Sequence, residues 1–228
     1  MSMTVKRFFP FALIAALSAL LVWLIWFWQP GRDADADLHR QLGLAAKPEG
    51  GDFRLQSWRG PVGLEDFRGK VVLIYFGYTW CPDICPTNLA IIGLALKQLT
   101  PSEREGVQVL FVSVDPERDD VERLKRFAEY FDPNILGVTG SEQEIAAAAR
   151  RYGAAYQRSE QSDSAMGYMV DHSSYTYLVD RHGRLVEVLE HATPAERIVG
   201  LIRRFQGEDT APLVEDAGPL EPEPRSSL

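Results

Sequence analysis

A chain of 228 residues, 46% of them hydrophobic, can bury one ordinary core or two small ones. Its formal net charge of −8 is unevenly placed. Between Gly207 and Leu228 six acids (Glu208, Asp209, Glu215, Asp216, Glu221, Glu223) stand against Arg225, so this stretch carries −5 and the remainder is nearly balanced. With no basic patch or arginine-rich run, a nucleic-acid partner is excluded.

The first element is apolar. After Lys6 and Arg7 the residues Phe8 to Trp28 carry no charge. At about 1.5 Å per residue such a helix crosses a bilayer core of about 30 Å. Trp23, Trp26 and Trp28 gather at its far end, where indole rings favour the membrane–water interface. The basic pair favours a cytoplasmic N-terminus over residues 1–7, although Arg32 and Arg40 lie on the other side. A cleaved signal peptide competes, with Ala34 and Ala36 as an A-x-A site. The run is longer than the usual h-region, which favours an uncleaved transmembrane anchor over residues 8–28. A mitochondrial transit peptide has no room before it. The expected setting is therefore a single-pass protein of a bacterial inner membrane, with its domain facing the periplasm.

Residues 29–50 are polar and read as a tether, and residues 51–206 alternate strand and helix signals. Val71 to Phe76 is a continuous apolar strand of the kind buried on both faces, followed by a helix from about Pro86 to Leu99. Val107 to Val114 is a second buried strand. A helix over Val121 to Phe131 follows, with Asp119 or Asp120 as N-cap. Ser141 and Glu144 form a capping box that opens a third helix to about Tyr152. Tyr175 to Val179 and Arg184 to Leu189 are joined by a DRHG turn as a hairpin. Thr193, Pro194 and Glu196 then open a last helix to about Phe205. Parallel crossovers first and an antiparallel pair later make an α/β fold of thioredoxin-like (peroxiredoxin-type) class, a central sheet flanked by helices. Residues 207–228, with four prolines and no apolar periodicity, read as a disordered acidic tail.

The chemistry concentrates in GYTWCPDICPTN, Gly77 to Asn88, which holds the only two cysteines, Cys81 and Cys85. A disulfide closing so short a loop adds little stability, so a structural staple is a weak explanation. The pair lies past the carboxyl end of a buried strand, where open α/β sheets place ligands. Pro86 as the first helical residue makes Cys85 the N-cap; a helix beginning at Pro82 instead puts both cysteines on one face. Either places a thiol in the helix-dipole field, which favours thiolate. Two thiolates need one more ligand for a soft three-coordinate ion such as Cu(I), or two more for tetrahedral zinc.

Of the four histidines, His39 lies in the tether, His182 at the hairpin tip and His191 in a turn. His172 precedes the hairpin on a loop that a thioredoxin-like sheet brings beside the cysteines. It is either a ligand or a loop histidine bonded to Asp171. Met166 and Met169 are thioethers that either ligate copper or pack under the loop. Asp115 ends the second strand at the same sheet edge, where it either bonds near the thiols or caps the DPERDD turn.

The stretches FGYTWCPDICP, FVSVDPERD and VDHSSYTYLVD, with GDFRL and GKVVLIYF before them, resemble the Sco/SenC family of copper-binding proteins over roughly Gly51 to Phe205. The resemblance implies a membrane-tethered, thioredoxin-like domain that binds copper, as Cu(I) and/or Cu(II), through Cys81, Cys85 and His172. It implies a role in assembling the dinuclear copper centre of cytochrome c oxidase subunit II, as copper donor, as reductant of the target's cysteines, or both. Other copper chaperones or thiol reductants are the further partners. Asp115 and Asp171 are candidates for the shell around the ligands, and Cys81 and Cys85 for a redox-active disulfide. A thiol–disulfide reductase or thiol peroxidase using the same pair is the enzyme alternative, with Arg118 as the one candidate peroxide-activating arginine. A copper or redox sensor ranks last, because no output domain is visible.

Overall fold

The computed structural model describes residues 48–159 and 167–207, together with positions 17, 18, 20, 21 and 23, which are helical. Most of the apolar segment, most of the tether and nearly all of the acidic tail lie outside the described residues. Among the described residues no helix is long and apolar enough to cross a membrane.

Chain order gives β1 (Arg54–Ser57), β2 (Gly60–Gly63), a 3-10 turn (Leu64–Phe67), β3 (Val71–Gly77), α1 (Ile84–Lys97), α2 (Pro101–Glu105) and β4 (Val107–Ser113). Then follow α3 (Val121–Phe131), β5 (Ile135–Thr139), α4 (Glu142–Tyr152), β6 (Tyr156–Ser159), β7 (Met169–His172), β8 (Thr176–Val179), β9 (Leu185–Leu189) and α5 (Ala195–Gly207). Seven strands form one sheet in the order β2-β1-β5-β4-β3-β8-β9, and β6 pairs with β7 apart from it. β3 and β4 run parallel with Val71 opposite Val107 and Gly77 opposite Ser113. Both are buried at every position, which is why their sequences are unbroken apolar runs.

Neighbouring side chains of β3 point to opposite faces. Tyr75 stacks on Phe111, which meets Phe127 of α3, whereas Phe76 meets Tyr152 of α4. Helices therefore cover both faces, and α1 packs against α5 and α3 on one of them. This mixed sheet with flanking helices is the thioredoxin-like arrangement.

The caps read from the sequence are largely in place. Asp120 accepts from the Arg123 amide at the start of α3, and Ser141 with Glu144 forms a complete capping box on α4. Two readings need correction. α1 begins at Ile84 with Asp83 as its N-cap, so Pro86 is the third helical residue and Cys85 lies inside the helix. Amides of the first turn have no intrahelical partner, so the proline's missing N–H costs nothing there. Thr193 donates its hydroxyl to the Glu190 carbonyl, and α5 starts after Pro194. The short elements β1, β2, β5, β6, β7 and α2 were not separable from loops by periodicity.

Candidate metal centre

The cysteine loop, residues 78–83, leaves the end of β3 and enters α1. Gly77 is required there: a Cβ at this position would stand 2.6 Å from Cys85 Sγ and 3.0 Å from Phe111. The loop is tied down from beneath by Asp119, which accepts from the Thr79 amide (2.9 Å), the Thr79 hydroxyl (2.5 Å) and the Ser113 hydroxyl (2.7 Å). Burial pushes the Asp119 carboxyl up, and these hydrogen bonds oppose that shift.

His172 arrives from a second direction, at the end of β7. It pairs with Tyr156 of β6, and the junction is fixed by the Ser173 amide donating to Ala155 (2.8 Å) and the Ala155 amide donating to Ser173 Oγ (3.1 Å). The Val170 amide donates to the Tyr78 hydroxyl at 3.3 Å, linking this arm to the cysteine loop. The His172 ring stands edge-on to Tyr75 and Tyr78, with centroids 6.2 and 5.7 Å away.

The two directions converge. Cys85 Sγ lies 3.2 Å from His172 Nε2, and the two sulfurs and one ring nitrogen are all within 4.8 Å of one another. Both cysteines are free thiols. Cys85 is fully buried, while Cys81 and His172 are 9% and 8% exposed, so among the described residues the three donors meet solvent on the Cys81 and His172 side. His172 Nδ1 lies 3.1 Å from the Ser173 carbonyl. A carbonyl only accepts, so Nδ1 carries the proton and the Nε2 lone pair faces the sulfurs.

The thiols are pushed apart in acidity. The Cys81 thiol is lowered, first by the hydrogen bond with Cys85 and further by the backbone of Asp83 and Cys85, against its own burial. Cys85 is raised by burial and by sharing its hydrogen bond and charge with Cys81. The pair therefore holds one thiolate at Cys81 and one proton at Cys85, and a soft cation that displaces this proton gains two sulfur ligands at once. Tyr75, whose hydroxyl lies 3.9 Å from Cys85 Sγ, is held neutral by burial.

Other candidates stand elsewhere. The Asp115 carboxylate accepts from Arg118 (2.5 Å) and from the Tyr168 hydroxyl (2.6 Å), not from the thiols. Asp171 is exposed, while its β7 neighbours Val170 and His172 are buried on the other side. Arg118 also donates to the Tyr168 carbonyl and lies 3.6 Å from the Tyr168 ring centroid, so it is engaged in holding the arm. Met169 Sδ is 4.0 Å from the Tyr78 hydroxyl; Met166 and His39 lie outside the described residues. Nothing in the sequence marks the roles of Gly77 and Ser173 here, and Asp119 reads there only as one of two N-cap candidates, a role that Asp120 takes.

The SCO1/SenC family matches residues 43–206. The chain belongs to the SCO1/SenC family. It is 42% identical over 156 residues to the mitochondrial SCO2 homolog of Bos taurus, covering 68% of this chain and 58% of that protein. The chain thus spans less than two thirds of that relative's length. Bradyrhizobium japonicum ScoI, solved with copper bound, is 35% identical with a TM-score of 0.63, covering 69% of this chain and 99% of that one. BsSco, in which a disulfide switch was identified, is a member of the Sco family of cytochrome c oxidase assembly proteins. It is 28% identical with a TM-score of 0.56, covering 71% of this chain and 95% of that one.

Proposed function

We propose that this SCO1/SenC protein is a membrane-anchored copper metallochaperone. In this reading Cys81, Cys85 and His172 are the ligands, and the protein assists assembly of the dinuclear copper centre in subunit II of cytochrome c oxidase. The observation that carries it is the meeting of two free sulfurs and an oriented imidazole nitrogen within 4.8 Å. Three donors on one ion with bonds of about 2.3 Å sit roughly 4 Å apart, so closure onto a metal needs adjustments of less than an ångström. Two sulfurs and one nitrogen suit Cu(I), while hard cations prefer oxygen. The residues divide the work. Ser173 fixes the imidazole tautomer, Tyr75 and Tyr78 wall the ring, and Asp119 holds the loop that presents Cys81. Cargo leaves by ligand exchange along the Cys81 side.

Residues 8–28 serve as the anchor in this reading, with the domain facing the periplasm of a bacterial inner membrane. Copper is supplied by another copper chaperone. The test is anaerobic competition of the full chain in detergent against a Cu(I) chelator. Cys81→Ser and Cys85→Ser should each lose tight binding while the circular dichroism spectrum is kept; retention in both would overturn the assignment.

The same geometry favours a second activity. One thiol is nearer the surface and acidic, and its partner is buried beside it, as attacking and resolving thiols are arranged. Cys81 would attack a partner's disulfide and Cys85 would then displace the mixed disulfide, leaving a Cys81–Cys85 disulfide that a thiol reductant must renew. Disulfide reduction that survives in His172→Ala, a variant without copper, would establish this activity as independent of the metal.

A further inference from the structure

The donor atoms are nearly closed off, so anything that exchanges with them meets the surface beside Cys81 first. That surface begins at Trp80, 38% exposed. The Arg123 guanidinium of α3 lies 4.6 Å from the Trp80 ring centroid and donates to the Thr79 hydroxyl at 2.5 Å, which joins loop and helix into one face. Further along α3, Arg126, Phe127 and Tyr130 join Thr79 and Arg123 around an open cleft of about 320 Å3. Tyr130 is 84% exposed, far more than a core role explains. The Arg126 side chain is exposed and makes no hydrogen bond or ion pair among the described residues. Glu122 and Glu129 flank it along the helix, yet neither pairs with it and neither lines the cleft.

We propose that the Trp80–Arg126–Tyr130 face is the docking surface for an acidic segment of the protein that exchanges copper with this one. The proposal rests on the copper reading above. Tryptophan, tyrosine and arginine are the side chains that dominate binding energy at interfaces. Arg123 is held from beneath by Asp119 at 3.6 Å, so Arg126 is the cation of the cleft that selects a carboxylate and speeds its approach. A docked acidic segment brings its neighbouring thiolates to the Cys81 edge. Exchange then breaks the copper bonds to Cys81, Cys85 and His172 and forms bonds to the two incoming sulfurs. Protons lost by incoming thiols pass back to the freed cysteine thiolates, and the copper stays Cu(I).

The test uses the full chain in detergent loaded with Cu(I), and two synthetic acceptors carrying Cys-x-x-x-Cys, one flanked by glutamates and one by lysines. The glutamate peptide should withdraw copper at least about tenfold faster at low ionic strength, with the advantage shrinking as salt screens it. R126E and Y130A should abolish that advantage with copper affinity unchanged. Equal rates for the two peptides, or variants that behave as wild type, would overturn the proposal. Versions of the peptides with serine for cysteine, followed by fluorescence anisotropy on the copper-free chain, separate the two readings. A chain that binds no copper but docks the acidic peptide sinks the copper reading alone; a chain that holds copper with no preference sinks the docking. Stronger docking in a chain ending at Gly207 would make the protein's own acidic tail the occupant and overturn an external partner.

Discussion

The cysteine loop and the β6–β7 arm each bring ligands to one centre, yet they are held by different physics. The loop belongs to the core. It continues a fully buried strand, rests on Asp119, and runs into a helix whose Leu89, Ile92 and Leu96 are buried. The arm pairs with itself outside the main sheet and is fastened mainly by polar and aromatic contacts. Asp115 and Arg118 grip Tyr168, whose ring also lies 3.6 Å from the Arg158 guanidinium; Tyr78 takes the Val170 amide, and Ser173 bonds Ala155. One half is therefore fixed by burial and the other by a few nameable contacts, so damage to each should have a different signature.

The largest expected effect is loss of the cargo. Cys85→Ser keeps the size of a fully buried side chain but removes a soft ligand, and retained copper after gel filtration should fall to background. Gly77→Ala should harm fold and site together. Its methyl group would press on Cys85 Sγ, and overpacking of this kind costs about 1–3 kcal/mol, read as a lower thermal midpoint with weaker copper binding. Arg158→Met should separate the two. Taking this exposed guanidinium off the Tyr168 ring loosens the arm, so copper affinity should drop about 10–100-fold, as for other residues that orient ligands, while the thermal midpoint barely moves. An equal loss of stability and affinity in this variant would show that arm and core are one unit.

The smallest effect is a control remote from both regions. Arg203 and the Thr100 amide hold the Glu103 carboxyl down at about 2. A lowered folded value means that its contribution is present above the unfolded value of about 4.3 and is lost as pH falls toward 2. Thermal melts of Glu103→Gln from pH 5 to 2 should show a shallower decline than wild type, with copper binding unaffected at neutral pH.

The same contrast explains what the sequence disclosed. The cysteine half was legible because its parts adjoin in the chain: an unbroken apolar strand and two cysteines ahead of a helix. The exact helix start was not, because Pro86 is equally tolerated anywhere in the first turn. From its own surroundings His172 was legible only as one of two alternatives, and the family resemblance chose the ligand, since nothing near it in sequence says that Tyr156 will pair with it across 16 residues. Asp119 was hidden for the same reason. Its role depends on Thr79, 40 positions earlier, and its sequence context reads equally well as a turn or a cap. Tyr130 and Arg126 gave no signal, because exposed aromatic and basic residues on an amphipathic helix are ordinary until a site is found beside them.

Copper K-edge X-ray absorption of the full chain loaded with Cu(I), wild type beside His172→Ala, tests the central claim most directly. The account predicts two sulfur scatterers and one nitrogen scatterer in the wild type, with the nitrogen lost in the variant. Two sulfurs alone in both proteins would remove His172 from the centre and leave the arm without its role.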